Sequence, residues 1–297
     1  MKVDQRALTG IHVKVERANE HFGMLYDEMA DWAAERPWRL VPEPHDKGLT
    51  YFCRLRFLKP IPVEWAVVLG EALHDLRSAL EQSVYWLTLD WSKQHLEGTA
   101  FPVYRQRKNF AQPAKLTPKN RSGWAPSSGM YKIRGIGPGP HAFIEAVQPY
   151  PQRWRNDYCF AVKVLNDLWN QDKHRLVHLW GLRFHDPKIS LAPGQAALDC
   201  GVYFDARVRH ENAIVLKVVC TTPHPEMKMN SQVASSLVFA AGKGKRGGSY
   251  SLWDIARCNI DIINKLIGAI GHQDRPINIA IWTAGPSFPT RHGTSTP

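Results

Sequence analysis

Hydrophobic residues in the first half of the chain recur every three or four positions, the period of an α-helix with one buried face. Over residues 11–35 that period is kept by Val15, Phe22, Leu25, Met29 and Trp32, and Pro37 stops it because proline cannot continue a helix. A longer apolar seam, Leu69, Leu73, Leu76, Leu80, Val84 and Leu87, predicts a second helix over residues 62–89, opened by Pro62. Between them, residues 38–41 and 49–58 read as a hairpin around Pro44, Asp46 and Gly48. Residues 101–104 read as a short strand. A short helix over 141–147 and a strong one over 156–179 follow. From Trp180 to Ala241 the period changes to two, with β-branched runs such as 201–208 and 213–220, which predict about four antiparallel strands. Helical spacing returns over 252–270, with Ile255, Ile262, Ile263, Leu266 and Ile270 inward, Ser251 as cap and Gly271 as stop.

The pattern predicts an α+β protein, a helical bundle with an antiparallel sheet. Residues 1–179 form a mainly helical domain with an early hairpin and a long basic loop (105–140), and 180–250 form a β region. The helix of 251–270 packs back on the bundle, and 283–297 form a frayed tail. At 297 residues and 44% hydrophobic, the chain has enough apolar material for a packed core. No stretch approaches the roughly 18 uncharged apolar residues of a membrane span, and no leader pattern opens the chain, so a cytoplasmic protein without a membrane partner is expected. The five cysteines stand far apart in sequence, as reduced and mostly buried thiols do.

Charge changes the picture. The net charge of +11, from 38 basic and 27 acidic side chains, favours polyanionic partners or anionic substrates. No acidic residue stands between Glu97 and Glu145, where Arg105, Arg107, Lys108, Lys115, Lys119, Arg121, Lys132 and Arg134 all fall. Tyr104, Phe110, Trp124 and Tyr131 are interleaved among them, and cations mixed with aromatic faces are what single-stranded nucleic acid binding uses. These basic residues and Trp124 are the candidate substrate-binding set, with RNA as the partner.

A second oddity lies in the helix of 156–179. Its apolar face runs Ala161, Leu165, Leu168 and then meets Asp172 and Arg175, so two charges continue a core stripe and require partners. Beside the leucine seam of the second helix, His74, Arg77, Glu81 and Tyr85 line a polar face, and packing the two helices together would let Arg77 meet Asp172. The same residues can be read as an interhelical ion-pair network or as a site. As a site, Asp172, His174, Arg77 and Arg175 are the catalytic candidates: His174 exchanges a proton near neutral pH and the two arginines steady phosphate charge. His74 and Lys173 would bind substrate. His174 and His178 have the spacing of a helical metal site, but Arg175 stands where a zinc protease motif needs Glu, so no metal or other cofactor is assigned.

The segments Gly70-Glu-Ala-Leu-His-Asp-Leu-Arg-Ser-Ala-Leu80, Phe101-Pro, Gln148-Pro-Tyr and Asp172-Lys-His-Arg175 resemble a widespread, largely uncharacterised bacterial family, in one order across residues 11–179. That resemblance carries no activity. More distantly the helices resemble HEPN domains, helical bundles of bacterial defence and toxin ribonucleases, whose Arg, followed after four to six residues by His, cleaves RNA without metal at a homodimer interface. Arg77 matches the Arg; the His positions hold Gln82, Ser83 and Val84. Glutamine cannot exchange that proton. The resemblance therefore implies fold and RNA binding more than cleavage. A pocket for a small anionic metabolite at Arg77 and Asp172 to Arg175, or a scaffold without chemistry, are the other classes compatible with the sequence.

Overall fold

The computed structural model describes residues 5–118, 120–153, 156–173, 179–191, 200–204, 212–221, 229–239 and 252–277. The helical periods appear where the seams place them. Helix α1 spans Gln5–Ala34 and α2 spans Glu64–Ser92, and all six residues of the α2 seam are fully buried. Two short helices follow, α3 (Arg107–Phe110) and α4 (Gly129–Lys132), then α5 (Pro138–Ala146), α6 (Asp157–Asp172) and α7 (Leu252–Gly268). Gly271, at φ +85°, turns the chain after α7, a conformation that glycine adopts without a Cβ clash.

The expected loop of 105–140 holds the short helices α3 and α4, and two further elements also differ from the sequence expectation. Helix α6 ends at Asp172 and does not reach residue 179, which already opens a strand. Residues 101–104 form no ladder. Side chains satisfy their backbone instead: Glu81 accepts from the Phe101 N–H at 2.7 Å and Gln148 accepts from the Tyr104 N–H at 3.0 Å.

Strands β1 (Trp38–His45) and β2 (Thr50–Phe57) form the expected hairpin around the turn of Asp46–Gly48. The four later strands are β3 (Leu179–Leu191), β4 (Cys200–Phe204), β5 (Ile214–Cys220) and β6 (Met229–Phe239). They do not make one sheet. The order is β1-β2-β5-β4 in a four-stranded antiparallel sheet, while β3 pairs with β6 alone. An isolated hairpin is marginal in water, and β2, with Tyr51, Cys53 and Leu55 buried, gains a second neighbour in β5.

By contacts the chain divides into two compact units, one of residues 1–4, 81–163 and 261–297, the other of residues 5–80 and 164–260. In the first, Gln273 is a staple 2% exposed: its Oε1 accepts from the Gly137 N–H at 2.7 Å and its Nε2 donates to the Leu87 carbonyl at 2.8 Å. In the second, the nearly buried Asp75 carboxylate pairs with Lys14 at 3.4 Å and Arg17 at 3.7 Å, tying α1 to α2. No helix among the described residues is long and apolar enough to cross a membrane.

Candidate functional site

The acid-free segment of the first unit is an ordered excursion. Its root is Gln148, fully buried, whose Nε2 donates to the Pro102 and Ile144 carbonyls at 2.9 Å while its Oε1 holds Tyr104. Phe110 anchors the outgoing arm, fully buried and edge-on to Tyr104 and Tyr150. The two arms pair between Ala114 and Gly123 at 2.8 Å and between Ala125 and Gln112 at 2.9 Å. Asn120 donates from Nδ2 to the Trp124 carbonyl at 2.8 Å, closing the tip. Ser128 then caps α4 through the Tyr131 N–H.

This scaffold sorts the predicted cations. Arg105, Arg107, Lys108, Lys115 and Arg121 are exposed, with Arg107 paired to Glu145 at 3.3 Å. Lys132 and Arg134 are half-buried. Lys132 lies 5.3 Å from the Tyr104 ring centre, and Arg134 stacks on Tyr131 at 3.7 Å while donating to the Tyr131 and Glu97 carbonyls. Arg134 is thus committed to the fold. Lys119 lies outside the described residues.

A cleft of about 550 Å³ opens between the excursion and its neighbours, lined by Trp124, Tyr131, Met130, Leu96, Asn120, Arg121, Arg134 and His141 among others. Sequence reasoning placed Trp124 and the arginines here but missed His141, which looked like an ordinary helix residue. Burial pushes its imidazole below the usual value, and the nearby Glu145 carboxylate partly offsets this. At neutral pH the cleft therefore presents an uncharged imidazole beside two guanidiniums and two aromatic rings.

The second predicted cluster belongs to the other unit. The Asp172 carboxylate packs over the Gly70 backbone, so closely that a Cβ on Gly70 would fall 2.5 Å from Oδ1. Burial raises Asp172 above the ordinary carboxylate value, and the exposed His74 opposes the shift. Arg77 does not pair with it: among the described residues Asp172 makes no ion pair, and the Arg77 guanidinium, 8% exposed, lies 5.1 Å from the Trp169 ring centre. Lys173 reaches the same indole at 3.2 Å. Trp169 is the residue the sequence reading missed, because a tryptophan beside an apolar helix face reads as core. His174, Arg175 and His178 lie outside the described residues, so the catalytic candidates His174 and Arg175 have no geometry here.

A raised Asp172 value fixes the sign of a pH effect. The folded chain retains a proton that the unfolded chain has released, so this residue lowers stability as pH rises from 3.8 through the higher folded value. Asp172→Asn should flatten that decline, which denaturant midpoints measured across mildly acidic pH will show.

Comparison of the chain with protein-family models, with curated proteins and with solved structures finds no match.

Proposed function

We propose that the protein binds single-stranded nucleic acid, RNA foremost, through the basic excursion. The observation that carries this reading is the presentation of five exposed cations on the excursion, one of which, Arg121, lines a cleft that also holds Trp124 and Tyr131. Phosphates neutralised by arginine and lysine release counterions, and a base has an aromatic face on which to stack. The missing acidic residues from 98 to 144 remove the repulsion that would oppose a polyanion.

Fluorescence anisotropy with a labelled single-stranded oligoribonucleotide tests the proposal. Saturable binding is expected at low salt. Trp124→Ala should raise Kd about tenfold, the low end of the ~1–3 kcal/mol per stacked base. Absence of binding, or an unchanged Kd in that variant, overturns the reading.

Cleavage by a HEPN-like ribonuclease of a defence or toxin system, acting as a homodimer, is a further step of the same proposal and rests on His174. His174→Ala should abolish any cleavage of the bound RNA and leave binding and thermal stability unchanged. The burial of Arg77 and its stacking on Trp169 support a packing role for that residue rather than contact with substrate.

A further inference from the structure

The four-stranded sheet contains a pair of cysteines that the sequence spacing conceals. Cys200 opens β4 and Cys220 closes β5, and the antiparallel register makes them direct partners, followed by Gly201 with Val219 and Val202 with Val218. Directly opposed residues of antiparallel strands stand on one face of a sheet. The kind of rung can also be read. The Cys220 N–H donates to the Leu49 carbonyl at 2.8 Å, on the β2 side of β5. In an antiparallel strand a residue's N–H and C=O point to the same neighbour, so Cys220 turns its non-hydrogen-bonded side toward β4. Such rungs bring Cα atoms to about 4.5 Å, within the range of about 4.4–6.8 Å that a disulfide spans.

We propose that Cys200 and Cys220 form a reversible cross-strand disulfide, a redox site that joins the edge strand β4 to β5. Hydrogen peroxide is a sufficient oxidant. One thiolate attacks a peroxide oxygen, breaking the O–O bond to give a sulfenic acid and, with a proton, water. The second thiolate attacks that sulfur, the S–O bond breaks, and a second water leaves. The two thiols lose two electrons in all, which one peroxide accepts. A small dithiol returns the pair to the reduced form by exchange.

The other described cysteines are poorly placed to compete. Cys53 faces Leu216 across the β2–β5 ladder, on the far side of β5 from Cys200. Burial pushes both Cys53 and Cys159 up to about 11, so they hold little of the reactive thiolate at neutral pH. Cys258 lies in helix α7, outside the sheet whose register sets Cys200 opposite Cys220.

The test uses the full chain. After brief peroxide treatment and denaturation, the titratable thiols should fall from five to three, and the mass should drop by two hydrogens. Trypsin cuts after Arg207, Arg209 and Lys217, which separates the two cysteines unless they are linked, so a Cys200–Cys220 crosslinked peptide is expected. Dithiothreitol should release it. Cys258→Ser should leave the crosslink in place, whereas Cys200→Ser and Cys220→Ser should each abolish it, two variants guarding against a folding failure in one. Loss of thiols through any other pairing, oxidation of an unlinked cysteine to sulfinic acid, or five thiols retained in the wild type overturns the proposal.

Discussion

Replacing Gln148 by leucine should destabilise the protein by about 3–5 kcal/mol, because it strips partners from several buried backbone groups at once. Gln148 is fully buried, accepts from the Tyr104 N–H and donates to the Pro102 and Ile144 carbonyls. Leucine fills much of the same volume and offers no polar atom. The half-buried Tyr104 donor and the buried Pro102 acceptor would be left unpaired, at roughly 1–3 kcal/mol each. Glu81 holds the neighbouring Phe101 N–H and remains in place, so the loss should be large without being total. Urea unfolding measures it. A loss below about 1 kcal/mol would mean that these groups find other partners.

A variant with Arg105, Arg107, Lys108, Lys115 and Arg121 all changed to glutamine should bind single-stranded RNA at least a hundredfold more weakly at low salt. The size follows from removing as many as five phosphate contacts, each releasing about 0.7 counterion on a single strand. The fold should be nearly untouched, because all five side chains are exposed. The ion pair of Arg107 with Glu145 is a surface pair worth under about 1 kcal/mol. Anisotropy titration read beside thermal melting separates the two effects: weak binding with an unchanged melting temperature is expected. Equal affinity of variant and wild type would remove the excursion from the interface.

The elements with one strong apolar seam were legible in the sequence. The α2 leucines and the β-branched run of β5 needed no tertiary information, and the α2 seam is buried as its spacing predicts. What could not be read was decided at a distance. Nothing local says that β2 will pair with β5 across more than a hundred residues, or that Cys200 will meet Cys220. The root of the excursion was hidden for the same reason, since Glu81 and Gln148 are ordinary polar residues until the chain between them needs backbone partners. At the candidate site, the acid-free basic run was plain from charge alone. Which cations are exposed, and which, like Arg134, are consumed by stacking and carbonyl contacts, required the fold. Asp172 stands out in the sequence as a charge at the end of an apolar stripe, and in the fold its surroundings are Gly70 and His74 rather than Arg77.

The central claim is that an electrostatic surface on the excursion engages the phosphates of a single strand, and its most direct test is Kd against salt. For wild-type protein and an unstructured oligoribonucleotide, affinity should fall about a hundredfold between 50 and 200 mM monovalent salt, as about five phosphate contacts require. A Kd that stays flat over that range, or the absence of measurable binding at its low end, would contradict the account.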